Sequence, residues 1–295
     1  MDDLIKGHAA RVRAVDSLVA GQDELHGKGE WLEARDAVGL ASTDRLDPDS
    51  LQATWSPLVV HRLQARVVGP DPEAALGAVL DRWLARRRPA GPGQALSVSW
   101  PSRDTAPVKA LALRGFMPVA AAAARRILPH TPAAPVPGVA VRRANQDDLD
   151  VVTGMYRRLV DYDAQFGWVT ARASTTERLR ESVAKEVLPL EWCWLAEVGG
   201  RAAGCVIVQP PTRTRWISSS VNAAPVAYLG TMYVEPAARG HGVGVALTDA
   251  AHDHAAAEGV TSMVLHHALP NPLSTPFWAR RGYRPLFTQW IRHLP

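Results

Sequence analysis

One segment restricts the fold of this chain more than any other: an apolar strand followed by a turn with alternating glycines. Residues 228–247 read YLGTMYVEPAARGHGVGVAL, so the apolar run ends at Val234 and a helix begins beyond Gly240. Glycine lets a backbone approach a ligand closely, and the free N–H groups at a helix start attract phosphate. Arg239 adds a positive charge beside them. The segment therefore predicts a pyrophosphate-binding turn between a strand and a helix.

Two common phosphate-binding turns do not fit this spacing. A P-loop needs Gly-Lys-Ser/Thr, and no lysine lies nearby. A dinucleotide-binding turn places G-x-G-x-x-G directly after the strand, with an acidic residue about 20 positions on. Here several residues separate Val234 from glycines spaced G-x-G-x-G, and the next strand ends in His266-His267.

A proline-rich segment divides the chain into two regions. Pro129–Gly138 reads PHTPAAPVPG, and four prolines in ten residues exclude a helix or an internal strand. We therefore predict domains at 1–128 and 139–295, joined by a linker at 129–138.

The second region alternates strand and helix patterns, which predicts a mixed α/β domain with antiparallel hairpins first and a strand–helix–strand crossover later. Strands are predicted at Val139–Arg143, Trp192–Val198, Ala203–Gln209, Ala227–Val234, Ser262–Ala268 and Arg284–His293. Helices are predicted from Leu149 to about Asp163, over Thr175–Glu186, from Gly244 to about Glu258 and over Ser274–Arg281.

The first region shows fewer clear elements. We predict a helix at Asp71–Arg88, a strand at Ala95–Trp100 and a short helix at Pro107–Leu113. Both regions then continue with Arg-Gly-aromatic-x-Pro, at 114–118 and 281–285. This shared ending predicts a diverged internal duplication, although a glycine that ends a helix is common by chance.

Composition excludes several classes of protein. The chain of 295 residues has 33 Lys+Arg against 29 Asp+Glu, a net charge of +4, and Arg86–Arg88 is its one basic run. No nucleic-acid partner is therefore expected. No apolar run reaches the length of a membrane span, so we expect a cytoplasmic protein with no membrane partner. Cys193 and Cys205 alone make no metal site, and His252 and His254 diverge on a helix, so no metal is expected.

Two motifs in the second region resemble the GNAT superfamily of acyl-CoA-dependent N-acetyltransferases. The family motif Arg/Gln-x-x-Gly-x-Gly/Ala after a strand is matched by Arg239, Gly242 and Gly244. A second signature, an asparagine followed seven residues later by an aromatic and then Gly-Phe, is partly matched by Asn271, Trp278 and Gly282-Tyr283. The resemblance covers residues 139–295.

This resemblance implies the fold class: α/β (α+β), with two GNAT-like domains, each a mixed, mostly antiparallel sheet flanked by helices. Residues 1–128 lack any Arg-x-x-Gly-x-Gly motif, and Gly69-Pro70 stands at the nearest equivalent. They would be a degenerate copy that completes the substrate cleft or a packing interface.

The resemblance also implies a site for acetyl-CoA, the acyl-donor cosubstrate. Backbone groups of Met232 and Tyr233 would polarise the thioester carbonyl and act as the catalytic groups. The implied cofactor-binding residues are Met232, Tyr233, Val234, Arg239, Gly240, His241, Gly242, Val243, Gly244, Val245, Asn271 and Trp278.

Trp278 departs from the family pattern, in which many members carry a tyrosine that protonates the leaving thiolate. An indole N–H is not a useful acid, so Tyr233, Tyr283 or water would take this role, unless the domain turns over poorly. Trp278 would otherwise only pack the helix.

The base that deprotonates the amine is left open among four side chains and a chain of water molecules. They are Glu235, Glu197, His266 and His267. Adjacent residues of a strand face opposite sides, so we expect at most one of the two histidines to point into the cleft.

The family places the acceptor against the first two helices and the loop between its third and fourth strands. Here these offer Tyr162, Asp163, Phe166, Trp168 and the loop Thr212–Asn222. Asp161 and Asp163 would attract a cationic amine, or would only end the helix.

We therefore predict an N-acetyltransferase that moves an acetyl group directly from acetyl-CoA to a small-molecule or peptide amine. The alternative is a non-catalytic acyl-CoA-binding regulatory module. A homodimer is left open.

Overall fold

The structure is a computed structural model that describes residues 1–86, 93–128, 134–166 and 168–294. Within these ranges, eleven strands form one continuous sheet in the spatial order β1-β2-β3-β4-β11-β5-β10-β9-β8-β7-β6. The strands are β1 (Glu30–Ala34), β2 (Ala37–Arg45), β3 (Val59–Val67), β4 (Gln94–Pro101), β5 (Met117–Arg126), β6 (Val139–Arg143), β7 (Trp192–Val198), β8 (Arg201–Gln209), β9 (Val226–Val234), β10 (Ser262–Ala268) and β11 (Arg284–His293). The helices are α1 (Asp2–Val15), α2 (Pro72–Ala85), α3 (Val108–Ala112), α4 (Leu149–Asp163), α5 (Thr175–Ser182), α6 (Leu188–Leu190), α7 (Arg215–Ser218), α8 (Val243–Ala257) and α9 (Ser274–Arg280).

Strands β1–β4 and β7–β10 repeat one arrangement. In each set the first three strands pair antiparallel, and the third pairs parallel with the fourth through a helix crossover, α2 or α8. Both parallel pairs begin at the first residue of each strand, Val59 with Gln94 and Val226 with Ser262. Each continues for four residue pairs. The predicted duplication and the mixed, mostly antiparallel α/β class are therefore confirmed.

The last strand of each half lies in the other half of the sheet. Strand β5 follows α3 but pairs with β10, whereas β11 follows α9 but pairs with β4. The two exchanged strands also pair with each other at the centre, with Pro285 opposite Ala123. The sequence regions 1–128 and 139–295 thus share one sheet. Their boundary stays a prediction, and residues 129–133 of the linker lie outside the described residues.

Helices cover both faces of the second half of the sheet. Alternate residues of β8 point to opposite sides: Val206 belongs to the core under α8, and Ile207 to the core under α4. Helix α8 buries Leu247 and Ala251 on its sheet-facing side. In the first half, the side chain of Asp71 caps α2 by accepting the N–H of Ala74 at 2.9 Å.

The elements predicted for the second region are confirmed, with small changes at their ends. The predicted helix 175–186 is interrupted, because α5 ends at Ser182 and a π-helical turn, Val183–Val187, follows it. The predicted helix at Asp71–Arg88 is described as far as Ala85, and its last two residues lie outside the described ranges. Across the residues that the structure covers, no helix is both long and apolar enough to cross a membrane.

Candidate functional site

The candidate site is the gap where β9 and β10 diverge. Leu229 and Leu265 form the last pair between these strands. On the other side of β9, Ile207 pairs with Thr231 and Val208 with Leu229, so Gly230 is the extra residue of a β-bulge. The bulge and the divergence coincide, so the cleft-facing edge of β9 beyond Gly230 is free of a strand partner.

Backbone alternation determines which N–H groups face this gap. The N–H of Glu235 bonds to the carbonyl oxygen of Ala203, toward β8. Since successive residues of a strand direct their N–H groups to opposite sides, those of Val234 and Met232 point into the gap, and that of Tyr233 points to β8. The N–H groups of Met232 and Val234 are therefore donors that no neighbouring strand accepts.

The glycine turn leads from this edge to the start of α8. Gly240 and Gly242 have φ angles of +81° and +82°, a left-handed conformation that glycine adopts without strain. The first bond within the helix runs from the N–H of Ala246 to the carbonyl oxygen of Gly242. The N–H groups of the preceding residues, Val243–Val245, are therefore left for a ligand.

Arg239 is held between the glycine turn and α4. Its Nε–H donates to the carbonyl oxygen of Val234 at 3.1 Å, and its Cζ lies 5.4 Å from the ring centre of Tyr162. Both contacts leave the terminal amino groups of the guanidinium for an anion at the edge of the turn.

Asn271 precedes α9 on the opposite wall of the gap. Its Oδ1 accepts the N–H groups of Leu273 and Ser274 at 2.9 and 3.1 Å, which fixes the orientation of the amide. Its Nδ2 donates to Oδ1 of Asp163 at 3.3 Å, and burial in the cleft wall raises the pKa of Asp163 to about 6. The second hydrogen of this amide is therefore left as a donor toward the gap from its β10 side.

Trp278 and the two candidate acids, Tyr233 and Tyr283, differ in whether they reach the cleft. Trp278 is buried, and its ring packs edge-on against Tyr283, 5.2 Å away between centres. The hydroxyl of Tyr283 contacts Nε2 of His252 at 2.8 Å, in the core, and burial raises its pKa. The Tyr233 hydroxyl donates to Glu235 at 3.2 Å, and its pKa is also raised by burial. Trp278 borders the cleft, and of the two tyrosines only Tyr233 does so.

The four candidate bases differ in their charged partners and in whether they line the cleft. Glu235 forms an ion pair with Arg158 at 2.6 Å, and Glu197 forms one with Arg142 at 2.7 Å outside the cleft. Both histidines line the cleft, and the expectation that at most one of them points into it stays a prediction. The His266 ring contacts Tyr228, whereas that of His267 contacts Thr275 at the start of α9. Desolvation by the surrounding walls of the cleft lowers the pKa of His266 to about 4 and also lowers that of His267.

The gap opens into a cleft of about 1630 Å³ that both halves of the chain line. Four of the residues expected on the acceptor side border it, namely Tyr162, Asp163, Phe166 and Trp168, together with Trp216 from the loop Thr212–Asn222, whereas Asp161 does not line it. The segment between β2 and β3 forms a further wall. The N–H of Thr170 donates to the carbonyl oxygen of Thr54, and Arg172 donates to that of Ala53, both at 2.9 Å.

Several lining residues were not predicted from the sequence, some because they lie in segments of the first half without an assigned element, others because no motif marked them within the predicted elements of the second half. They include Leu46, Trp55 and Ser56 from the first half, and Tyr156, Glu191, Gln209 and Tyr228 from the second. Tyr228 lay within the predicted strand, and the one available signal was its position two residues before Gly230, the glycine at which the structure places the bulge. In the described part of the chain, no group of three or more metal-ligating side chains is placed to hold an ion.

The equivalent gap in the first half is filled by protein. Nδ1 of His8, on α1, lies 3.2 Å from the carbonyl oxygen and 3.3 Å from the nitrogen of Val67, the last residue of β3. His8 is fully buried and packs edge-on against Trp100 of β4. Helix α1 thus occupies the place between β3 and β4 that corresponds to the cleft between β9 and β10.

Comparison with known proteins agrees with this architecture. The family model described as acetyltransferase (GNAT) family matches residues 161–283. The chain resembles the crystal structure of a GCN5-related N-acetyltransferase from Sphaerobacter thermophilus, with a TM-score of 0.53 and 15% identity, over 88% of this chain and 77% of that one. No curated protein is detectably similar to it in sequence.

Two further solved structures are similar at lower TM-scores. A GCN5-related N-acetyltransferase from Kribbella flavida has a TM-score of 0.48 and 15% identity, over 98% of this chain and 96% of that one. A tandem GNAT protein from the clavulanic acid biosynthesis pathway has a TM-score of 0.43 and 17% identity, over 81% and 76%. The family match lies on the half that carries the gap, and the likeness to the Sphaerobacter fold extends into the first half. The chain therefore contains a domain of the GNAT family of acetyltransferases at residues 161–283.

Proposed function

We propose that this protein is an acetyl-CoA-dependent N-acetyltransferase that transfers the acetyl group directly to an amine. The observation that carries the proposal is the continuous path of free backbone donors from Met232 and Val234 to the first turn of α8. Neutral amide groups and a thioester need such donors along a gap, and a pyrophosphate needs them at a helix start. The residues present therefore fit acetyl-CoA.

In this proposal the pyrophosphate is bound by the turn Gly240–Val245, with His241 in it and Arg239 at its edge. Asn271 donates a hydrogen bond to the pantetheine arm from the β10 wall, and Trp278 packs behind it. The cosubstrate supplies an activated acetyl thioester. The N–H of Met232 polarises the thioester carbonyl from its fixed position on β9, whereas the N–H of Tyr233 points toward β8 and does not take this role.

The acceptor nitrogen forms a bond to the carbonyl carbon, and the bond from that carbon to sulfur breaks, with its electron pair leaving on the thiolate. A protonated amine first gives one proton to water. After the bond to the carbonyl carbon forms, the nitrogen loses one more proton, which the thiolate takes up, so the products are the N-acetylated amine and free coenzyme A. Tyr233 is the one candidate tyrosine that borders the cleft, and water serves as the other proton carrier. The described cysteines, Cys193 and Cys205, are buried, so a covalent acyl-enzyme is not part of the proposal.

A regulatory acyl-CoA-binding module is the second candidate, and the buried, hydroxyl-free Trp278 favours it. Free-thiol release from acetyl-CoA separates the two. Amine-dependent release above the buffer rate, with the N-acetylated product identified by mass spectrometry, supports the enzyme. Binding of acetyl-CoA without release supports the module, and absence of binding refutes both. A cytoplasmic location is part of this proposal.

A further inference from the structure

The acceptor side of the cleft contains a group of rings that we call the aromatic pocket: Trp55, Tyr156, Trp216, Tyr228 and His266. The ring centres of Trp216 and Tyr228 are 4.8 Å apart, and those of Tyr228 and His266 are 5.7 Å apart. Trp55 lies 5.8 Å from Tyr156 across the contact between the two halves of the chain. The pocket is therefore assembled from both halves.

The aromatic pocket adjoins the closed end of the gap between β9 and β10. Tyr228 immediately precedes Leu229, and His266 immediately follows Leu265, the two residues of the last strand pair. Nδ1 of His266 lies 3.2 Å from the Tyr228 hydroxyl, which holds the two rings in place. A ligand on these rings would lie next to the bulge at Gly230 and the N–H of Met232.

Trp216 leaves a large ring face for such a ligand. Its indole N–H donates to Oε1 of Gln209 at 3.1 Å, which fixes the ring, yet the side chain is 57% exposed. A fixed aromatic ring exposed within a cleft gains contact area when a planar group stacks on it.

The charges of the cleft argue against a polycationic ligand. Most lining carboxylates already have a cation: Asp44 pairs with Arg62 and Glu181 with Lys185, while Glu186 and Glu191 share Arg213. Among the residues that the structure describes, Asp163 is the one lining carboxylate for which no cationic partner is found. One free carboxylate suits a ligand with a single ammonium group.

We infer that the acceptor is a primary monoamine carried on an aromatic ring system, bound in the aromatic pocket between Trp216 and Trp55. This inference rests on the proposed function and specifies its substrate class. The N-terminal half then contributes to acceptor selection through Trp55, although its own gap is filled by α1.

The test uses the full-length protein with tryptamine and spermidine as probes. Ligand-observed NMR measures the binding of each amine with and without coenzyme A, and a thiol assay with acetyl-CoA measures turnover. We expect tryptamine to bind at least about fivefold more tightly than spermidine, since one aromatic stacking contact contributes about 1 kcal/mol beyond the area that it buries. Equal or tighter binding of spermidine would overturn the inference.

Substitutions of the two pocket tryptophans test where tryptamine binds. Trp216→Ala and Trp55→Ala are expected to weaken tryptamine binding several-fold and to leave acetyl-CoA affinity unchanged. Trp31→Ala, which removes an indole on the distant edge strand β1, is the matched control and should change neither. Unchanged tryptamine binding in both pocket variants would contradict the inference. Failure of acetyl-CoA to bind would refute the proposed function instead. The amine titrations without coenzyme A would then still show whether the aromatic pocket prefers tryptamine to spermidine.

Discussion

Val67 and Val234 end equivalent strands of the two halves, but only Val234 faces a gap. Each is the ninth residue of a strand that pairs antiparallel with its predecessor and parallel with its successor. His8 covers the backbone of Val67, whereas Arg239 lies over the carbonyl oxygen of Val234. The duplicated fold therefore retains one cleft, and the helix before the first strand closes the other.

One acetyl-CoA is expected to bind per chain. Because α1 fills the first gap and the glycine turn is missing, the described part of the first half lacks the arrangement of donors that the second half offers to a pyrophosphate. Native mass spectrometry over a range of acetyl-CoA concentrations should show a single saturable addition. Two saturable additions per chain would mean that α1 does not close the first gap.

Gly242→Ala is expected to lower acetyl-CoA affinity at least about tenfold. A Cβ at this position would lie 2.6 Å from Cγ1 of Val136, and the left-handed φ of +82° would add about 1–2 kcal/mol of strain. Both effects distort the turn that presents the free N–H groups.

Gly259→Ala is the matched control for this strain. Gly259 has a φ of +71° and follows the far end of α8, and a Cβ added there would meet no atom of the described chain within 4 Å. The substitution should lower the melting temperature without changing affinity for acetyl-CoA. Equal affinities of the two variants, measured by calorimetry, would exclude the turn as the pyrophosphate site.

Asp163→Asn is expected to raise the melting temperature at pH 7.5 but not at pH 4. Burial raises the pKa of Asp163 in the folded chain to about 6, above the value of about 3.9 for an unfolded aspartate. The folded state therefore binds more protons between these values, and the contribution of this group to stability falls as the pH rises through them. Asparagine carries no charge at either pH, so Asp163→Asn removes this loss of stability at pH 7.5.

Asp161→Asn provides the comparison for Asp163. Asp161 is exposed on the same helix and pairs with Arg157 at 2.9 Å. Thermal unfolding at both pH values should show no gain for this variant at pH 7.5. A gain of the same size at pH 4 and 7.5 for Asp163→Asn would contradict a raised pKa.

Cleavage within residues 129–138 is expected to leave the two halves associated. Strands β5 and β11 each pair with strands of the other half, so separating the fragments would break the centre of the sheet. A protease site introduced into this segment should give two bands on a denaturing gel but one species of unchanged size in native gel filtration. Two native species would show that the exchange of strands does not hold the halves together.

The sequence predicted the second half of the fold because its elements follow regular apolar periods. It predicted much less of the first half. Strand β5 contains five consecutive alanines, Ala120–Ala124, which favour a helix by local propensity. They form a central strand because β5 is paired along its length with β10 on one side and β11 on the other, and this tertiary pairing overrides local propensity. The exchange of β5 and β11 left no signal in a single sequence, since it depends on distant pairing.

Of the candidate site, too, only a part could be predicted from the sequence. The glycine turn and Asn271 could be identified because their spacing along the chain is fixed by local backbone geometry. The choice of Met232 over Tyr233 as the N–H facing the gap required the hydrogen bond of Glu235 to Ala203. The contribution of Trp55 required the contact between the halves, which no motif of the sequence encodes.

Calorimetric titration of acetyl-CoA into the wild-type protein and Arg239→Ala tests the central claim most directly. A hydrogen bond to a charged group contributes about 1.5–3 kcal/mol, so we expect about a tenfold or greater loss of affinity in the variant. Arg201→Ala, at the exposed β7–β8 turn, should bind as the wild type does. Saturable binding with one site that weakens in Arg239→Ala is the predicted result. Absence of binding at millimolar acetyl-CoA, or equal affinity of wild type and Arg239→Ala, would contradict the account.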